Sequence, residues 1–245
     1  MNLSKEELIT TISQKYQKSL STTQLIEKIS YELNNNNILP SQTVVGLNVC
    51  RDDSISKIIH QLHASGFKQH FSLRTLTGLP IAGKTGITAY YHHLHQNDTK
   101  NLPGIIIFAP HIGVSLQGEF GKVDRTGQTC ASNSCGANHA LFHYFNTYKS
   151  PCSVKDLELK NVFDLLLKSQ KVNEVMKSST PIEKLVELEF DIGSQLLEEI
   201  ITRVKENEKN KHEILLICGI HIDTPNSDIY DIENYFELRS MKWIK

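Results

Sequence analysis

Apolar and polar positions along this chain follow two different periods, and the change near residue 44 divides it. Before that point the spacing is helical. Leu8, Ile9, Ile12 and Tyr16 recur on one face behind a Ser4–Glu7 capping box. A second helix is predicted over 22–33, with Ile26, Ile29 and Leu33 on one side, and the uncharged asparagine run 34–37 ends it. From Val44 onward, short β-branched runs take over. Residues 44–49, 104–109 and 214–222 are apolar without alternation, the pattern of strands buried on both faces. After the first of these, Asp52 and Asp53 supply N-cap chemistry for a helix ending near Gly66, and 67–73 reads as another strand. A glycine-rich segment, 78–86, leads into a helix around 89–95. The stretch 111–129, also rich in glycine, is predicted to form a β-hairpin or a functional loop. Helices are predicted over about 136–148, 154–169 and 181–205, and a short aromatic tail ends at Trp243. Strands alternating with helices predict an α/β fold, a central sheet flanked by helices. Residues 1–40 are expected to be a helical N-terminal extension packed on the core, and 41–245 the main domain.

Composition narrows the possibilities. The 245 residues carry a formal net charge of -1, so there is no basic excess of the kind a nucleic-acid or anionic-membrane partner selects. No apolar run is long enough to span a bilayer, and the first residues resemble neither a signal nor a transit peptide. A cytoplasmic protein is the expectation. The five cysteines are odd in number and scattered, which favours reduced thiols available as metal ligands.

Three residues stand out by position. Cys50 ends the first strand, His111 follows the second directly after Pro110, and Cys135 begins a helix. Two thiolates and an imidazole would make a zinc site with three protein ligands and an open fourth position, the catalytic pattern. None of the spacings matches a zinc finger, and buried structural cysteines are the alternative that the residues alone leave open.

The segments around these residues resemble one family. Gly46–Asp53 (GLNVCRDD), Gly83-Lys84-Thr85-Gly86 followed by Ala89 and His92-His93, Ala109–Gly113 (APHIG), then Gly118, Gly121, Arg125, Gly127 and Ser134-Cys135-Gly136 stand in the order found in the limiting-CO2-inducible B/C proteins. The resemblance covers 44–140 strongly and the rest loosely. It implies a β-carbonic-anhydrase-like fold, a homodimer, and zinc held by Cys50, His111 and Cys135. The implied activity is reversible hydration of CO2 to bicarbonate by hydroxide generated on the zinc. It also implies that Asp52 works with an arginine as a gating pair, accepting a hydrogen bond at the metal or swinging in to occupy its fourth position.

One departure stands out. The arrangement Cys-x-Asp-x-Arg would need arginine at position 54, where this chain has Ser54, leaving Arg51, Arg74 or Arg125 as sources of the guanidinium. A catalytically silent zinc protein, serving bicarbonate sensing or assembly, is therefore a second reading. Gly78–Thr85 also fits a phosphate-binding loop letter for letter, but Pro80 interrupts it. The central strand ends in Pro-His rather than in a magnesium-binding Asp, and Asp223 is the only substitute. For proton export, His92, His93 and His95 are candidates.

Overall fold

The three unbroken apolar runs become adjacent strands of one sheet, each buried over its whole length. The computed structural model describes residues 2–52, 56–94, 96–97, 100–147, 154–209, 211–227 and 230–245. Its main sheet consists of β1 Ser19–Ser21, β2 Val44–Val49, β3 Gln69–Ser72, β4 Gly104–Ala109, β5 His111–Gly113, β6 Ile214–Asp223 and β7 Tyr235–Ile244. The order is β1-β7-β6-β4-β2-β3, with β5 beside the end of β6. The block β3-β2-β4-β6 is parallel, whereas β7 and β1 are antiparallel.

Alternate residues of each central strand face opposite layers. Val45, Leu47, Ile105, Ile107, Leu215 and Ile217 pack with α2 (Thr22–Asn35) and α3 (Ser56–Ala64). Val44, Ile106, Phe108, Leu216 and Cys218 pack with α4 (Gly83–Tyr91) and α8 (Pro181–Asn207). The expected flanked sheet is thus present, as is the N-terminal helix α1 (Lys5–Lys15), capped reciprocally by Ser4 and Glu7. A third helical cluster joins α5 (Gly136–Thr147), α6 (Leu157–Leu167), α7 (Val172–Lys177) and the first half of α8. Among the described residues no helix is long and apolar enough to cross a membrane.

Topology creates the site. From β2 the chain crosses through α3 to β3 at one edge, then returns through α4 to β4 on the other side of β2. The loops leaving β2 and β4 therefore diverge, and a crevice opens at the carboxyl ends of these two strands. Cys50 and His111 lie at that crevice.

Some elements differ from the sequence expectation. The helix expected over 89–95 begins at Gly83, because Ile87, Tyr90 and Tyr91 form a buried stripe whose packing outweighs the low helix propensity of glycine. The segment expected to be a short aromatic tail is a ten-residue strand, β7. The stretch 111–129 is β5 and a long loop, closed by a two-residue ladder between Lys122–Val123 and Ser132–Asn133. The expected N-cap Asp53 lies outside the described residues.

Candidate metal centre

Each predicted ligand is held at the end of a rigid element. Cys50 continues β2 by one residue and forms a bridge with Thr75. The backbone at Gly78 presses on it from the side. Gly78 has φ +86°, and a Cβ there would lie 2.8 Å from the Ala109 carbonyl oxygen and 3.1 Å from the Cys50 nitrogen. Only glycine fits this position. It is buried against protein, so the segment 78–85 does not have its first glycine free to cradle phosphate. Pro110 separates β4 from β5, and His111 opens β5 in parallel register with His221 of β6. Cys135 stands at the start of α5, where His139 N–H donates to its carbonyl at 3.2 Å.

The three side chains converge. Ligand atoms of Cys50, His111 and Cys135 all lie within 4.8 Å of one another, and the three residues are buried. His111 is oriented from behind: its Nδ1 lies 2.5 Å from Asp223 Oδ2. His221 Nδ1 lies 3.1 Å from the other oxygen of the same carboxylate. Asp223 therefore fixes Nδ1 as the protonated ring nitrogen. It leaves His111 Nε2 buried and without a hydrogen-bond partner, the atom available to a metal. Two thiols and a carboxylate-oriented imidazole with an orphaned nitrogen fit a thiophilic divalent ion such as zinc.

The charges in the metal-free site follow from these contacts. The Cys135 thiol and the His111 ring stabilise a thiolate on Cys50, whose pKa falls despite burial. The hydrogen bond to Cys50 and burial together keep Cys135 protonated, well above the usual thiol range. Burial would lower the pKa of His111, but Asp223 and the Cys135 sulfur outweigh it and hold the ring protonated at neutral pH. Asp223 stays ionised although burial opposes it, because His111 and His221 flank it. Binding a metal requires both sulfurs as thiolates and a neutral His111 ring, whereas Cys135 and His111 both hold their protons more tightly than usual. Affinity for Zn2+ is thus expected to rise with pH. Competition titrations with a chromophoric chelator at several pH values measure this slope, and a slope near zero contradicts the charge assignment.

At the mouth of the site stands Asp52. Arg125 reaches its Oδ2 with Nη2 at 3.3 Å, and the same guanidinium donates to Ser132 Oγ and to the carbonyls of Asn133 and Ser134. Of the three arginines weighed, Arg125 pairs with the Asp52 carboxylate. Arg74 instead donates to the backbone carbonyls of Cys50 and Asp52, and Arg51 pairs with Glu158. Ser54 lies outside the described residues. A cavity of about 480 Å³ opens here, lined by Arg51, Asp52, Lys57, Arg125, Asp223 and Asn234 among others.

The histidines weighed as proton carriers are elsewhere. His92 and His93 follow the carboxyl end of α4, where Tyr90 reaches the Val44 and Ile105 carbonyls at the opposite end of the strands from Cys50. His92 contacts Glu208, and His93 packs on Phe71. His95 lies outside the described residues. Cys218 packs in the core, Cys130 is exposed, and Cys152 lies outside the described residues.

Comparisons with known proteins bear on the family and the fold. The sequence profile described as limiting CO2-inducible proteins B/C, beta carbonic anhydrases, matches residues 19–245. The chain belongs to this family. The limiting-CO2-inducible fold is also what solved structures share with it. PtLCIB4, a homolog of the limiting CO2-inducible protein LCIB, is similar with TM-score 0.80 and 21% identity, over 96% of this chain and 94% of that one. A histidine-to-alanine mutant of PtLCIB4 is similar with TM-score 0.81 and 20% identity, over 96% and 93%. LCIB itself is similar with TM-score 0.69 and 18% identity, over 99% of both chains. No curated protein matches. At these identities the structures establish the fold alone.

Two buried carboxylates near the site escaped the sequence reading. Asp223 was weighed only as a magnesium ligand, although a His-x-Asp pair closing a strand beside the strand that carries His111 is a signal for an orienting carboxylate. Glu189 is a carboxylate inside the apolar stripe of α8, beside Leu185, Gly193 and Leu197, and fully buried.

Proposed function

We propose that this protein is a zinc-dependent carbonic anhydrase that interconverts CO2 and bicarbonate, with Cys50, His111 and Cys135 as the metal ligands. The observation that carries this reading is the buried convergence of the three ligands, with His111 Nε2 left free by Asp223. When bound there, zinc lowers the pKa of a water molecule and supplies a nucleophile for the carbon of CO2 at neutral pH. The chain's own residues do the rest. Asp223 holds the His111 tautomer. Asp52, held by Arg125, would accept a hydrogen bond from a hydroxyl or water beside the metal and so orient it. The Arg125 and Lys57 side chains give the cavity mouth a positive character suited to a bicarbonate anion.

The pairing of Asp52 with Arg125 favours this reading over the silent zinc protein, whose support was serine at position 54. Stopped-flow CO2 hydration by zinc-loaded protein, against a chelated control, tests it. Zinc-dependent turnover is expected, and its absence in protein carrying stoichiometric zinc rejects the catalytic reading.

A further inference from the structure

Near the metal centre lies a polar cluster that the chemistry above does not use. Glu189 on α8 has no exposed surface. Its placement is set one turn later by Gly193, where a Cβ would come 2.3 Å from the Phe108 ring, so α8 lies hard against β4. Asn138, also fully buried, donates from Nδ2 to Glu189 Oε2 at 3.1 Å. The Thr77 hydroxyl lies beside the same carboxyl group. Thr77 is fully buried as well, and it is held at φ +61°, ψ -11°, a left-handed conformation that a β-branched residue rarely adopts. Strain of this kind persists only where surrounding contacts enforce it.

The connections run to both cysteines. Asn138 sits in the first turn of α5, three residues after Cys135. Thr77 precedes Gly78, whose backbone presses on Cys50 and whose carbonyl accepts a hydrogen bond from Asn48 Nδ2 at 2.5 Å. We propose that Glu189 is a positioning residue of the metal centre, tying the start of α5 to the Thr77–Gly78 turn and so setting the separation of Cys50 and Cys135. This inference rests on the reading of those residues as zinc ligands.

Glu189 performs this as an uncharged acid. Among the described residues it forms no ion pair, and burial holds its carboxyl well above the usual carboxylate range. A protonated carboxyl offers one O–H donor, and Thr77 Oγ1 and Asn138 Oδ1 are buried acceptors with no other hydrogen-bond partner. Glutamine supplies an equivalent donor, whereas leucine fills similar space and supplies none.

Zinc affinity, measured by chelator competition together with the melting temperature of metal-free protein, tests the proposal. Glu189→Gln is expected to bind zinc within about threefold of the unmodified protein, since its amide donates to the same acceptors. Glu189→Leu is expected to bind about 10- to 100-fold more weakly, the usual cost of losing a group that orients ligands. Its metal-free melting temperature is not expected to fall. Should Glu189→Leu fail to fold, Asn138→Leu cuts the same bond from α5 and is expected to show the same loss. Unchanged affinity in the folded leucine variant, or Glu189→Gln as weak as Glu189→Leu, overturns the proposal. Unmodified protein that binds no zinc overturns the metal reading and this inference with it; unmodified binding with unaffected leucine variants overturns this inference alone.

Discussion

Cys135→Ser is expected to weaken zinc binding on the order of 10³-fold, about 4 kcal/mol, and to abolish CO2 hydration at ordinary zinc concentrations. The substitution exchanges a thiolate for a neutral hydroxyl, a poor donor to zinc, at one of the three proposed ligands. It changes the volume of the side chain little, at a position that is 2% exposed, so the fold should survive. The loss should therefore appear in metal content and not in the melting temperature of metal-free protein. Cys130→Ser is the matched control. That residue is only five positions away in sequence but is exposed, and its replacement is expected to change neither quantity. Stoichiometric zinc in Cys135→Ser would remove Cys135 from the ligand set.

Arg125→Ala is expected to lower turnover by about 10- to 100-fold while leaving zinc content unchanged. The pair it breaks is partly solvated, with side-chain exposures of 32% for Arg125 and 22% for Asp52, so its contribution to folding stability is small. Its effect is on position. Without the guanidinium, the Asp52 carboxylate loses this tether, which would ease its turning inward toward the proposed metal. The segment 132–134, which Arg125 pins through three hydrogen bonds just before Cys135, loosens at the same time. Binding of a small inhibitory anion such as azide separates these effects. Arg125→Ala should bind it more weakly, and adding Asp52→Ala should restore binding without restoring turnover. Unchanged turnover in Arg125→Ala would mean that the pair has no part in catalysis.

Much of the frame was legible in the sequence because it depends on local pattern. The runs at β2, β4 and β6 are apolar on both faces and could only be interior strands, and the Ser4–Glu7 box fixed the start of α1. The candidate ligands Cys50, His111 and Cys135 stood out by their positions at element ends, but they are far apart in sequence and no spacing rule connects them, so their grouping leaned on the family motifs. What escaped is what depends on pairing at a distance. Arg125 reaches Asp52 from a glycine-rich loop whose path no periodicity records. Asp223 acquires its role because β6 lies parallel to β5, and sheet order cannot be read from either strand alone. β7 was missed because only Phe236 in it is buried and Glu237, Arg239 and Lys242 break its apolar pattern, so it read as a tail. Glu189 was the exception, a carboxylate in an apolar helical stripe and therefore open to detection in the sequence.

The most direct test of the ligand set is X-ray absorption at the zinc edge on protein loaded with one equivalent of metal. Coordination by Cys50, His111 and Cys135 predicts two sulfurs at about 2.3 Å and one imidazole nitrogen at about 2.0 Å, with a light atom in the fourth position. A first shell without sulfur, or with a single sulfur, would contradict the account.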